Sequence, residues 1–272
     1  MYLRYNNWDR WECDFDPLFP GSQDNVIIDG GVATLESSTL INSLYLISDS
    51  TLTISSDGGD LSVLGMIQSD GRLVVDGMLF SLDVTSVATL NSGALTGQGT
   101  VVGDVYNIMA TVSPGKDGIG LLTIAGTYVQ DPSAILAIEM AGANPPDYDA
   151  LIVNGSAGFT GVLRIIPING FLPQPGQVFT VLTASSLQLG TLNIVSSGTF
   201  SVSFPNGTVE LTVLTSPLSP DLNLDGVVNL LDLAIQSGPE ISRVGPVDMD
   251  GDAVVDLDDL LILVGNWGSG MQ

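Results

Sequence analysis

The sequence predicts an all-β fold of solenoid architecture, followed by a small unit with short helices. Hydrophobic residues make up 44% of the 272 residues and charged residues only 13%, with 32 glycines, a composition that favours strands joined by turns. From residue 25 onward, short apolar runs recur about every ten residues between Gly, Asp, Asn and Ser. A sandwich and a solenoid both fit this rhythm, and turn residues that recur along the whole stretch favour stacked coils.

Residues 1–24 form a distinct N-terminal segment that is rich in aromatic side chains. Trp8 and Trp11 lie three positions apart beside Asp9 and Arg10. We expect this segment to be a cap that covers the first coil of the solenoid, since the ends of such a stack must be covered or used for assembly. The alternative is an aromatic patch, with Trp8 and Trp11 as contact residues, that binds a sugar or a neighbouring subunit.

The rest of the chain divides into four parts. Residues 25–110 carry the short, Gly- and Asp-punctuated runs of the β-solenoid. Residues 111–214 contain longer runs with clearer alternation, which predict a C-terminal β layer that ends the solenoid in a β-sandwich-like arrangement. Residues 215–220 include two prolines and predict a stiff linker. Residues 221–272 form the second unit.

Within residues 95–200 a resemblance to a known family is visible. Ser113-Pro114-Gly115 precedes the pattern Gly120-Leu121-Leu122-Thr123-Ile124-Ala125-Gly126-Thr127-Tyr128, and Asp147-Tyr148-Asp149-Ala150-Leu151 and Pro175-Gly176-Gln177-Val178 follow. This order resembles the end of an autotransporter-type passenger repeat. The resemblance implies a right-handed parallel β-helix used for surface display or adhesion.

The first calcium loop is the strongest signal in the chain. Calcium binds six to eight hard oxygen atoms, and a twelve-residue loop supplies them from positions 1, 3, 5, 7, 9 and 12 with Gly at position 6. Gly226 occupies position 6, and Val227 would bind through its carbonyl oxygen. The predicted ligands of the first ion are Asp221, Asn223, Asp225, Val227, Asn229 and Asp232.

A second loop follows the same spacing. Ala253 stands where Gly is expected, and a left-handed Ala costs roughly 1 kcal/mol or more, so we expect weaker binding or a distorted bend. The predicted ligands of the second ion are Asp248, Asp250, Asp252, Val254, Asp256 and Asp259. The two loops together predict two bound calcium ions.

Each loop is followed by a short apolar stretch that predicts a helix, and this arrangement resembles a type I dockerin over residues 221–267. Dockerins bind cohesin modules, and the resemblance assigns partner choice to the tenth and eleventh loop positions. Those positions hold Leu230 and Leu231 in the first loop, and Leu257 and Asp258 in the second. The ending Gly265-Asn266-Trp267-Gly268 resembles the tails of planctomycete-like extracellular proteins that join β-repeats to dockerin-like modules.

Charge and composition exclude several classes of function. The net charge is −24, from 30 acidic against six basic residues, which argues against binding to nucleic acid or to anionic membranes. No apolar run is long enough to span a membrane. The chain has no His and one Cys, so the usual general base is absent and catalysis is not expected. Asp147 and Asp149, which flank Tyr148, are the best pair of acids for such chemistry, but we expect them to serve a turn or a strand end.

These observations lead to three hypotheses. The first is a secreted bacterial protein, extracellular or on the cell surface, that is structural or adhesive. Its dockerin-like tail mediates assembly with a cohesin-like partner or with another copy, in one version head to tail into a filament. The second is a carbohydrate-active β-helix tethered to a scaffold through a dockerin–cohesin contact. The third is a carbohydrate-binding module, in which polysaccharide binds to Trp8 and Trp11.

Overall fold

A computed structural model describes residues 20–82 and 87–216 of the chain, together with Ile262, which is helical. The calcium loops and the tryptophans of the N-terminal segment therefore lie outside the described residues. Within the described residues the fold is all-β and built from parallel strands, which confirms the predicted β-solenoid body. The only other regular element of this body is a 3-10 turn, Pro205–Gly207.

The strands that open the solenoid are short, three to five residues each, because Gly, Asp, Ser and Asn interrupt the apolar runs at every corner. They are β1 (Asn25–Ile28), β2 (Gly31–Leu35), β3 (Thr39–Ile41), β4 (Ser43–Leu46), β5 (Ser50–Ile54), β6 (Asp60–Val63), β7 (Ile67–Ser69), β8 (Arg72–Val75) and β9 (Met78–Ser81). The stack continues with β10 (Ala88–Leu90), β11 (Ala94–Gly97), β12 (Thr100–Val102), β13 (Val105–Asn107), β14 (Thr111–Pro114) and β15 (Leu121–Ile124).

Four of the later strands are longer, with six to 18 residues: β17 (Ile135–Met140), β18 (Ala150–Pro167), β19 (Val178–Val195) and β21 (Thr208–Thr215). The other two, β16 (Tyr128–Gln130) and β20 (Thr199–Ser203), are as short as the earlier strands. Each of β18 and β19 runs past two corners, so that one strand contributes to all three faces of the solenoid.

Every third strand is paired in parallel, which gives three sheets and a triangular cross-section. Sheet A holds β1, β4, β7, β10, β13 and β16, sheet B holds the strands that follow each of these, and sheet C the strands after those. Beginning with β1, the described residues make seven full coils and part of an eighth. The parallel pairing runs without a break through Val195.

The predicted change of architecture at residue 111 is wrong in one respect. The strands do lengthen, but they keep the parallel register of the coils before them, so no sandwich-like layer begins there. Among the described strands, antiparallel pairing is found where β21 lies against the start of β19 and where β20 lies against β21, and two isolated antiparallel bridges join Gly97 to Gly115 and Met140 to Tyr148. The alternation of inward and outward side chains is the same in a solenoid coil and in a sandwich strand, so the pattern alone could not separate the two.

The core is a set of inward stacks, in which equivalent residues of successive coils lie one above another. One stack on sheet A runs through Val26, Leu44, Ile67, Ala88, Val105, Tyr128, Ala157 and Leu187. Its members before Leu187 are at most 5% exposed. Burying one such Val, Leu or Ile side chain contributes about 1.5–3 kcal/mol, so the stability of the rod accumulates coil by coil.

A neighbouring stack on sheet A carries polar side chains into the core. The Asn107 amide donates to the Tyr128 hydroxyl (3.3 Å), which donates to the Gln130 side-chain oxygen (2.8 Å). Asn107 also accepts from the backbone N–H of Ala110 (2.9 Å), which fixes the corner after β13. Because every member of this chain of bonds is paired, the polar groups can be buried without the usual desolvation cost.

Glycine ladders allow the corners to stack closely. At the corner between sheets B and C, a Cβ on Gly99 would collide with the carbonyl oxygen of Gly77, and one on Gly77 with that of Gly59. Any larger residue would force successive coils apart at this corner.

Candidate functional site

None of the residues predicted to bind calcium or a partner lies among the described residues, so the structure does not test those predictions. They are Asp221, Asn223, Asp225, Val227, Asn229, Leu230, Leu231, Asp232, Asp248, Asp250, Asp252, Val254, Asp256, Leu257, Asp258 and Asp259, with Trp8 and Trp11 at the other end of the chain. Within residues 20–82 and 87–216, no three His, Cys, Asp or Glu side chains come together in a group that could hold a metal ion.

Asp149 is the most unusual acidic residue of the described solenoid. Its carboxylate is buried, with no exposed surface. One oxygen accepts from the backbone N–H of Gly120 (2.7 Å) and the other from the backbone N–H of Glu139 (2.9 Å). The backbone N–H of Asp149 in turn donates to the carbonyl oxygen of Glu139 (2.9 Å). One side chain thus ties together the residues just before β15, the end of β17 and the start of β18.

The environment of Asp149 shifts its proton affinity. Burial raises the pKa of this carboxyl to about 7, and the negative charge of Glu139 adds to the rise. The two backbone N–H groups act in the opposite sense, because they stabilise the ionised form. The pKa of Glu139 is itself raised by burial. A carboxyl with a raised pKa is a feature of many active sites, but this one is closed to solvent and its two oxygens are already occupied by the backbone.

Asp147 and Asp149 are not brought together as a pair of acids. Asp147 is exposed on the loop before β18, whereas Asp149 is buried. Between them the Tyr148 ring is buried and makes an edge-to-face contact with Phe179, with ring centroids 5.1 Å apart. This arrangement favours the expected role of Asp149 at a strand end. Because the sequence could not distinguish which of the two acids would be buried, the three-way connection of Asp149 was not predicted.

A polar groove lies at the corner between sheets B and C. It has a volume of about 560 Å³ and is lined by Ser56, Asp76, Gln98, Lys116, Asp117, Gly118 and Ile119. Lys116 forms an ion pair with Asp76 (3.8 Å), and the Arg72 guanidinium donates to the Lys116 carbonyl oxygen (2.7 Å). Two of the six basic residues of the chain are thus placed at one corner.

Sequence reasoning missed this groove because its members come from successive coils. Asp76 and Gln98 are 22 positions apart, and the backbone N–H of Gln98 donates to Asp76 (3.3 Å). The coil length is the signal that could have joined them, since corner residues separated by one coil become neighbours. The groove is polar and carries both charge signs, so it could hold a small polar ligand through hydrogen bonds.

The two ends of the described solenoid differ. At the first coil, Pro20 lines a half-open apolar pocket of about 20 Å³ together with Val26, Ile28, Leu35 and Ile41, and these four residues are at most 5% exposed. At the last coil, the segments of β19 that follow Ala184 pair with β18 on one side and with no described strand on the other. The inward side chains of the first coil are therefore covered and those of the last coil partly exposed, although β1, β2 and β3 also pair on one side only within the part of the chain that the structure describes.

The comparisons with known proteins are negative. No protein-family model matches the chain, and no curated protein matches it. In the part of the chain that the structure describes, no helix is long and apolar enough to cross a membrane.

Proposed function

We propose that this chain is a secreted, non-catalytic structural or adhesive protein, in which a β-solenoid rod carries a dockerin-like module that binds two calcium ions and mediates assembly with a protein partner. The spacing of the first calcium loop carries the proposal, because oxygen ligands and the turn glycine stand at each required position from Asp221 to Asp232. A continuous parallel stack, held by paired polar groups and glycine corners, supports the role of a rigid spacer.

An extracellular location follows from the same chemistry. Loops of this kind cover a wide range of affinities, and extracellular calcium at millimolar level suits even the weak ones. Without calcium, the clustered carboxylates of residues 221–259 repel one another, so we expect the folded module to depend on the ion. Binding to the folded form alone stabilises it by about 2.7 kcal/mol at a hundredfold excess of calcium over Kd.

Calcium titration of the full chain tests the proposal. We expect calorimetry to give two bound ions for the wild type and one for each of Asp225→Ala and Asp252→Ala. Asp57→Ala, at an exposed corner of the solenoid, is the matched control and should keep both ions. Failure of the wild type to bind calcium at millimolar concentration would overturn the proposal.

The partner is proposed to be a cohesin-like module or a second copy of this chain. Leu230, Leu231, Leu257 and Asp258 are the contact positions that the dockerin resemblance suggests. Electron microscopy in millimolar calcium, repeated after chelation, tests assembly through this module. Filaments or larger complexes that dissolve on chelation would support it. Particles that are identical under both conditions would exclude self-assembly through the calcium module and leave a separate protein partner.

The carbohydrate hypothesis keeps one supporting observation, the groove that Lys116 and Asp76 line. Its hydrogen-bonding side chains suit a neutral sugar. Trp8 and Trp11, which are predicted to bind sugar, lie outside the described residues. Binding of oligosaccharides that weakens in Gln98→Ala, and is unaffected by Trp8→Ala, would favour this groove as the site.

A further inference from the structure

The last coil presents a free strand edge, which we call the terminal edge (residues 186–195). On one side it is bonded in parallel to β18, from Ser186 opposite Ser156 to Val195 opposite Arg164. On the other side no strand of the described residues pairs with it, because β21 lies against the earlier part of β19. Its unpaired N–H and C=O groups are a template for another strand.

At the terminal edge, apolar side chains are partly exposed at inward positions whose residues are buried in earlier coils. Leu187, Leu192 and Ile194 are inward residues that are only half-buried, although they pack against the core. Leu189 occupies the inward position of Phe159, which is fully buried, yet Leu189 is 44% exposed. Exposed apolar surface on a free edge promotes association.

Charge sets this end apart from the rest of the molecule. No charged residue occurs between Arg164 and Glu210, in a chain whose net charge is −24. Natural sheet edges are commonly protected by charged residues or proline, and the terminal edge contains neither. The buried centres of protein interfaces are likewise poor in charge.

We propose that the terminal edge is the interface through which two copies of this chain pair, end to end, about a two-fold axis. Two strongly negative copies repel each other wherever acidic surfaces meet, and a charge-free end lets them approach without that cost. The strands of the first coil likewise have no second partner among the described residues, but the exposed Asp29 and Glu36 lie in that coil. The charge-free ends are therefore the ones that meet, and the assembly closes as a dimer. The pairing goes beyond the calcium-dependent assembly proposed above, because it uses the solenoid and needs no metal ion.

A second copy suits this surface better than the tail of the same chain. The apolar residues 260–264 are predicted to form the helix that follows the second calcium loop, and residues 221–259 contain ten acidic side chains and a single basic one, Arg243. Packing such a segment on an uncharged apolar surface would remove carboxylates from water without supplying a partner charge. The terminal edge of another copy carries the same apolar side chains and free backbone groups, so each edge can satisfy the other.

Analytical ultracentrifugation of the full chain with excess chelator tests the pairing. We expect a dimer at tens of micromolar, and a dimer Kd raised by at least about tenfold in Leu189→Lys and in Ile194→Lys, because each change places two like charges at the joint. Val129→Lys is the matched control. Val129 is 37% exposed, but it lies in a strand that is paired on both sides. The control should leave the Kd unchanged.

The remaining outcomes overturn the proposal. A wild type that stays monomeric, or a dimer that both lysine variants leave intact, would exclude the terminal edge as the joint. Growth beyond the dimer would contradict a closed pair. A monomer in which the thiol of Leu189→Cys is protected from labelling would show that the chain's own tail covers the edge. Because chelator is present throughout, these results are independent of whether the calcium module assembles.

Discussion

The first and last coils of this solenoid contain the same kinds of residue but differ in what they expose. Ile28 and Leu189 are the first and last members of one inward stack on sheet A, which passes through Leu46, Leu90 and Gln130. Ile28 is 3% exposed and Leu189 is 44% exposed. The stacking rule is the same along the rod, so the difference comes from what lies beyond each end.

This contrast explains how a repeating fold can acquire a direction. Every interior coil is covered by two neighbours, and only the ends are free to differ. The inward side chains of the first coil are buried, whereas the last coil combines partly exposed inward side chains with a charge-free sequence. We infer that stability is concentrated toward the first coil and association at the last.

Truncation of an inward side chain should destabilise the protein much more at the first coil than at the last. Ile28→Ala should lower the free energy of unfolding by about 2–5 kcal/mol, since it removes buried methyl groups and leaves a cavity. Leu189→Ala removes a similar volume from a half-open site and should cost less than about 1 kcal/mol in the monomer. Urea unfolding at low protein concentration measures both. Equal losses would mean that the ends are equally covered.

Asp149 tests whether the later coils depend on a specific connection as well as on stacking. Asp149→Ala leaves the backbone N–H groups of Gly120 and Glu139 buried without an acceptor, so we expect a loss of about 2–3 kcal/mol. Asp147→Ala removes the same charge from an exposed position and should change stability by less than about 0.5 kcal/mol. Thermal unfolding of the two variants gives the comparison, and a similar effect in both would contradict the role assigned to Asp149.

The stability of the protein should depend on pH because Asp149 titrates. The pKa of Asp149 is about 7 in the folded state and 3.8 in its ordinary environment. Below pH 3.8 both states are protonated and the contribution to stability is complete. Between pH 3.8 and 7 only the folded state keeps the proton, so stability falls as the pH rises, and above pH 7 the contribution is lost.

Asp149→Asn removes this titration and should flatten the pH dependence relative to the wild type. The acidic residues on the surface are common to both proteins and cancel in the difference. Chemical unfolding at intervals from pH 4 to 8 measures the difference in the free energy of unfolding between the two proteins. A difference that does not change with pH would show that Asp149 does not titrate in that range.

The smallest effect is expected at the polar groove, far from either end. Lys116 is 43% exposed and its distance to Asp76 is 3.8 Å, so Lys116→Ala should lower the free energy of unfolding by less than about 1 kcal/mol. Added salt should make this loss smaller, because it screens the ion pair. A loss as large as that of Ile28→Ala would show that this corner carries more of the fold than the stacks do.

The sequence predicted the solenoid because turn-forming residues, above all glycine, mark its corners. Gly77 and Gly99 stand where a side chain would strike the coil below, and runs such as Leu73-Val74-Val75 fill the space between corners. Local residue preferences therefore fixed the class of fold. They could not fix the continuation of parallel coils beyond residue 111, since inward and outward alternation is common to solenoids and sandwiches.

The candidate sites differ in whether their residues are close together in the sequence. The calcium loops are local, with all ligands of one ion inside twelve residues, so the sequence states them fully, and they remain predictions. The burial of Asp149, the groove at Lys116 and the open edge at Leu189 arise from residues that are brought together by the coil repeat. Their positions follow only when the register is known, because a shift of one residue would exchange inward and outward faces.

Thiol labelling at positions 28 and 189 tests whether the two ends of the rod differ in the exposure of their inward side chains. In a Cys13→Ser background, Ile28→Cys places a single thiol at the first end of the stack, and Leu189→Cys places one at the last end. At a protein concentration below that of pairing, we expect Leu189→Cys to react at least about a hundredfold faster with a thiol reagent, because Ile28→Cys is reached only when the chain opens. Equal rates would contradict a rod whose inward side chains are covered at the first coil and exposed at the last.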